Sequence, residues 1–160
     1  NKRLKIVQDL NFSYDSSKIS AGFHPLYGNI IVDDYKKIRD NVFVNKNFTE
    51  FELPTKTFFN KHIPISGGGY LRILPWFFFK YLLKKYLKNN DTYFFFIHPF
   101  ELTNKKVKLP KDSSFVSKLR FKIGRSRARN RFKKLIRILK EEGFEFVTFS
   151  ELNREVNKNV

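Results

Sequence analysis

Two kinds of apolar pattern alternate along the chain. Leu4, Ile6, Val7 and Leu10 have the spacing of a helix already under way at the first residues. "NFSYDSS" then reads as a short strand between turns, "SAGFHPLYGN" as a loop, "FTEFELPT" as a short strand and "PISGGG" as a loop. Pro75 opens a helix that runs to Lys88. Lys80, Lys84 and Lys88 lie on its wet face, and Trp76, Phe77, Leu83 and Leu87 supply the buried side. "TYFFFI" follows as a strand, apolar on both faces, and a polar loop covers 103–124. A basic helix carries Ala128, Phe132, Leu135 and Leu139 as its apolar stripe, and Gly143 ends it. "FEFVTF" is another strand, with Thr148 or Ser150 as the cap of a last helix. Strands alternating with helices predict an α/β protein with a parallel sheet.

Composition narrows the class. With 160 residues the chain has the size of one domain. No apolar stretch reaches the roughly 18 residues of a membrane span. The absence of cysteine excludes disulfides and cysteine metal sites. Residues 1–30 carry no signal-peptide pattern, and a first residue other than Met inside a helical pattern points to a piece of a longer protein. The formal charge of +17 attracts anions, yet the excess is spread over solvated lysines. This gives no expectation of a specific nucleic-acid partner.

The chemistry-bearing candidates are few. His98 stands where "TYFFFI" ends, and Pro99 turns the chain there. In parallel α/β sheets chemistry sits at the carboxyl ends of strands, so His98 is either a rim catalyst or a structural loop histidine. His24 and His62 lie in loops, and neither has a metal-ligand partner at a telling spacing. "SGGGY" is neither a P-loop nor a dinucleotide fingerprint; it permits close backbone approach to a ligand, or an unusual turn. Asp15 in "YDSS" fits an Asx-turn. "GRSRARNRFKKLIRILK" could meet phosphates but has no interleaved aromatics for base stacking.

Taken in order, "YDSSKISAGFHPLYG", "FELPTKTF", "IPISGGGYLRILPWFFFKYLLKKYL", "FFFIHPFEL", "GRSRARNRFKKLIRIL" and "FEFVTFSEL" resemble the second half of a polysaccharide deacetylase. These belong to the chitooligosaccharide-deacetylase homology group of carbohydrate esterases. The nearest likeness is to the branch found in exopolysaccharide and exosortase gene clusters. The resemblance spans Leu4 to Leu152. It implies that residues 1–160 are the carboxyl-terminal part of one deacetylase domain, an α/β fold forming part of a deformed (β/α) barrel. It also implies a divalent metal, usually zinc, that activates water against an N-acetyl group of a polysaccharide. The family's late-strand histidine, which protonates the leaving amine, falls on His98. The aspartate that orients and tunes it falls on Asp15. Gly67, Gly68, Gly69, Tyr70 and Arg72 would lie near the sugar. The family's "T-F-D-D-G", H-x-x-x-H and "R-x-P" segments do not occur in this chain; the resemblance places them, with the base and the metal ligands, before residue 1.

Three readings follow. One is a metal-dependent deacetylase to which this chain contributes the acid and the substrate loops. Another is a basic nucleic-acid-binding module built on the helix at 125–140. The last is a non-catalytic glycan-binding remnant.

Overall fold

In the computed structural model, which describes residues 2–21, 30–103 and 114–158, helix α1 (Lys2–Asp9) leads into a two-residue strand β1 (Tyr14–Asp15). Strands β2 (Lys36–Arg39), β3 (Val42–Asn45) and β4 (Phe48–Phe51) form an antiparallel meander. Its two connections are two residues long, and Asn41 and Lys46 take positive φ of 64° and 52° there. Tight turns of this kind suit the right-handed twist of paired strands. β1 adds to β4 in parallel, giving the order β1-β4-β3-β2. A separate hairpin, β5 (Thr55–Phe58) and β6 (Lys61–Pro64), follows.

The expectation of a (β/α) barrel is not met. The sheet is mixed, with one parallel and two antiparallel pairs beside a two-stranded hairpin, and no barrel closes. The reason lies in hydrogen-bond partners. "TYFFFI" and "FEFVTF" have the side-chain pattern of strands, but residues 92–98 and 144–148 belong to no ladder. Side chains of the first segment still alternate as an extended chain requires. Phe94 enters the cluster of Val42, Val44, Phe51, Leu152 and Val156, while Tyr93, Phe95 and Ile97 pack on the other side.

The helices follow the sequence pattern more closely. They are α2 (Gly68–Ile73), α3 (Trp76–Leu87), α4 (Pro99–Leu102), α5 (Phe115–Lys122), α6 (Arg125–Glu141) and α7 (Phe149–Lys158). The expected polar loop at 103–124 thus contains a helix. Pro75 sits at the N-cap of α3 rather than inside it. Phe79, Leu82, Leu83, Tyr86 and Leu87 of α3 meet Leu135, Ile138 and Leu139 of α6 in the larger core cluster. Burying each leucine there contributes roughly 1.5–3 kcal/mol. Phe77, expected on the buried side, is 76% exposed. At 100° per residue it shares a face with Lys84 and Lys88, opposite Phe79. Gly143 ends α6 with φ 82°, and Thr148 caps α7: its hydroxyl accepts the Glu151 N–H at 3.2 Å while its own N–H donates to the Glu151 carboxylate at 2.7 Å. No helix among the described residues is long and apolar enough to cross a membrane.

Candidate functional site

Three sequence segments far apart along the chain meet at one buried ion pair. Glu101 is 2% exposed and Arg72 is 6% exposed, and Arg72 Nε donates to Glu101 Oε1 at 2.8 Å. Glu101 Oε2 accepts the backbone N–H of His98 at 3.0 Å, which ties the carboxylate to the start of α4. Arg72 Nη1 donates to the Ile123 carbonyl at 2.8 Å, just before α6 begins. The pair is dry, so its attraction is weakly screened and each charge depends on the other.

The glycine loop is shaped by this pair. Gly67 has φ 85°, and a Cβ on it would stand 2.7 Å from Phe96 Cζ. A Cβ on Gly68 would meet the Glu101 carboxyl group, 2.6 Å from Cδ. The Gly68 N–H donates to the Phe96 carbonyl at 3.0 Å, binding the loop to the end of the aromatic segment. Gly69 has open space around its Cα and, with Tyr70, is half-buried. The loop therefore presents Gly69 and Tyr70 outward while Gly67, Gly68 and Arg72 face the protein. Arg72, 6% exposed, ties the loop to α4 through Glu101.

The arginines of α6 complete the lock. Arg131 Nη1 lies 2.8–2.9 Å from the carbonyl oxygens of Leu71, Arg72 and Leu74, the groups that the end of α2 leaves open. Arg125 Nη2 donates to the carbonyls of Phe100 and Thr103, at 3.1 and 3.0 Å, at the end of α4. Gly124, at φ 70°, lets the chain pass against the Arg72 backbone. Part of the basic character of "GRSRAR" is thus used internally.

His98 is exposed at the N-cap of α4, with Pro99 at the first helical position. Its ring lies parallel to Phe100 at 5.5 Å and edge-on to Phe96 at 5.9 Å, and Phe100 stacks on Phe121 at 4.8 Å. An aromatic stack and a fixed backbone hold the imidazole at the rim, open to solvent.

Asp15 is placed elsewhere. No hydrogen bond or ion pair joins it to His98; its neighbour is Glu50, opposite it in the β1–β4 register. Glu50 is fully buried. Its Oε1 accepts the N–H groups of Ser17 at 3.0 Å and Lys18 at 2.7 Å, and its Oε2 has no hydrogen-bond partner among the described residues. Burial pushes Glu50 up to about 8; the Lys18 and Ser17 N–H groups oppose that, and the Asp15 charge adds to it. The Glu50 carboxyl therefore keeps its proton at neutral pH, opposite Asp15 in the strand register.

His62 is exposed, its Nδ1 3.4 Å from the Thr57 hydroxyl, and His24 lies outside the described residues. No three His, Cys, Asp or Glu side chains among the described residues are grouped to hold a metal. A cleft of about 690 Å³ opens between residues 92–97 and 143–149, lined by rings and aliphatic groups such as Phe95, Phe132, Leu139 and Phe144; His98 is not in its wall.

Glu101, Glu50, Arg125 and Arg131 had not been singled out from the sequence. The available signal was a lone carboxylate inside an apolar frame, "HPFEL" and "FTEF", where only a paired or protonated acid is tolerated.

A family model described as a domain of unknown function (DUF3473) matches residues 16–154. The chain belongs to that family. The DUF3473 span contains the glycine loop, His98, Glu101 and all of α6, and starts one residue after Asp15. No curated protein and no solved structure matches the chain.

Proposed function

We propose that this chain serves in metal-dependent N-deacetylation of an N-acetylated polysaccharide, with His98 as proton donor to the leaving amine. Gly67, Gly68, Gly69 and Tyr70 form the loop beside the sugar. The observation that carries the reading is the meeting at the Arg72–Glu101 pair: "SGGGYLR", "HPFEL" and "GRSRAR", three of the segments that carry the resemblance, are tied together around one buried ion pair. The DUF3473 family is also associated with polysaccharide deacetylase-like proteins.

An amine leaves poorly as an anion, so its nitrogen must gain a proton as the C–N bond breaks. A histidine can serve as such a donor, and an exposed ring held at the start of α4 can exchange protons with solvent between turnovers. The Glu101 bond to the His98 N–H fixes where the ring stands. Asp15 makes no bond to that ring here, so the reading rests on His98, its aromatic neighbours and Glu101. The described residues do not fit a metal, and the reading assigns the metal ligands and the base to residues outside this chain.

The test is acetate release from an N-acetylated oligosaccharide by the protein that carries this chain, with and without added zinc. Metal-dependent release of acetate is expected. Sugar binding without acetate at any metal concentration would favour a glycan-binding role and overturn this one.

A further inference from the structure

The surface formed by the β5–β6 hairpin and the outer face of α3 exposes large aromatic side chains that the core does not use. Phe59 is 86% exposed, Phe77 76% and Tyr81 45%. Phe59 and Asn60 are the two turn residues of the hairpin, with φ of 44° and 57°. This left-handed pair suits Asn or Gly, and a bulky residue at its first position is an outlier. The chain thus holds a phenyl ring at the hairpin tip against both solvent and backbone preference. Ring contacts from Phe59 to Phe58 at 4.6 Å and from Phe58 to Phe78 at 5.0 Å set that tip beside the first turn of α3, next to Phe77. Trp76, half-buried there, stacks on Phe79.

The charge carried by the hairpin strands and α3 themselves has one sign. "TKTF", "KHIP" and "WFFFKYLLKKYL" contain five lysines, Lys56 among them, and no acidic residue. Lys61, Lys80, Lys84, Lys85 and, just beyond, Lys88 are exposed; Lys84 reaches Glu142 of α6 at 3.2 Å, and Lys85 lies over the Tyr81 ring at 4.7 Å. Exposed rings at the hairpin tip and on α3, with exposed lysines along the same two elements, match the interface of an anionic bilayer. Rings enter the headgroup boundary and lysines meet the lipid charge.

We propose that the β5–β6 tip and the α3 face dock on an anionic lipid surface, with Phe59 and Phe77 as the inserted rings. This is independent of the deacetylase reading. It concerns binding in the interface, not a span.

The chain has a single tryptophan, Trp76, next to Phe77 in sequence and half-buried beneath the Lys134 ammonium, so its fluorescence reports a change of surroundings at the start of α3. Vesicles of phosphatidylcholine with phosphatidylglycerol should shift Trp76 emission to the blue and carry the protein in flotation. Vesicles of phosphatidylcholine alone should do so at least tenfold more weakly, and binding should fall as salt rises. Phe77→Ser should weaken binding about tenfold, the scale of exposing a ring half-buried by the contact. Phe59→Asn should do the same while raising the unfolding temperature, because asparagine relieves the turn; a merely structural Phe59 would not move the two readouts in opposite directions. The proposal is overturned if neither vesicle binds. It also fails if both variants bind like the unmodified protein, which would mark a diffuse polyanion surface. Self-association dispersed by Phe77→Ser, without vesicle binding, would assign the patch to a second copy and overturn it too.

Discussion

Replacing Arg72 by leucine should be among the most damaging single changes in the chain. The Glu101 carboxylate would stay 2% exposed, keep the hydrogen bond from the His98 N–H, and lose the Arg72 guanidinium that pairs with it. Breaking a buried pair by removing one partner costs about 3–5 kcal/mol, because the remaining charge is uncompensated. The Ile123 carbonyl would also lose its donor. In urea, with a slope of roughly 2 kcal/mol per molar for a domain of this size, the midpoint should fall by about 2 M with an unchanged slope. Replacing both partners, Arg72→Leu with Glu101→Leu, removes the stranded charge. The double variant should therefore be more stable than Arg72→Leu alone, with a coupling energy above about 2 kcal/mol in the cycle. Single losses below about 1 kcal/mol that simply add would refute the burial and the pairing on which the site description rests.

Two further outcomes follow from the same structure. Gly124→Ala forces a Cβ to within 2.9 Å of the Arg72 carbonyl carbon at φ 70° and should cost more than about 3 kcal/mol, whereas Gly143→Ala, at φ 82° with open space, should cost only about 1–2 kcal/mol of backbone strain; equal costs in thermal unfolding would show that Arg72 and Gly124 are not in contact. Glu50, raised from the usual 4.5 to about 8, keeps in the folded state a proton that the unfolded chain releases, so its contribution is full below about pH 4.5 and is lost as pH rises through about 8, at up to ~1.4 kcal/mol per pH unit; Glu50→Gln should flatten that part of the stability profile, and an unaltered slope would contradict the buried, protonated Glu50.

What the sequence made legible was local. Helix α6 declared itself through Ala128, Leu135 and Leu139 at helical spacing and a terminating glycine, and α3 through its lysine face. Even there an aromatic residue in an apolar run suggests core for Phe77, whereas the 3.6-residue period turns it outward with Lys84 and Lys88. The side chains of "TYFFFI" suit a strand, but ladder formation depends on partners that a local pattern does not contain. Conversely, β2 and β3 drew no expectation, although Val42 and Val44 alternate between Asp40-Asn41 and Lys46-Asn47 turns. The glycine loop and His98 were visible as motifs. Their physical connection was not, because Glu101 joins residues 29 apart in sequence and only the fold shows that its carboxylate is buried. The proposed partnership of Asp15 with His98 assumed adjacent strand ends; the β1–β4 register instead sets Asp15 against Glu50.

The most direct measurement is steady-state deacetylation by the protein that carries this chain, comparing the unmodified form with His98→Ala. A positioned general acid contributes about 10²–10⁴-fold. Turnover should therefore fall at least a hundredfold while KM for the N-acetylated oligosaccharide changes little, and the limb of the pH profile that reports the protonated acid should disappear. Turnover within a few-fold of the unmodified protein, with the same pH profile, would contradict the assignment of His98 as the proton donor.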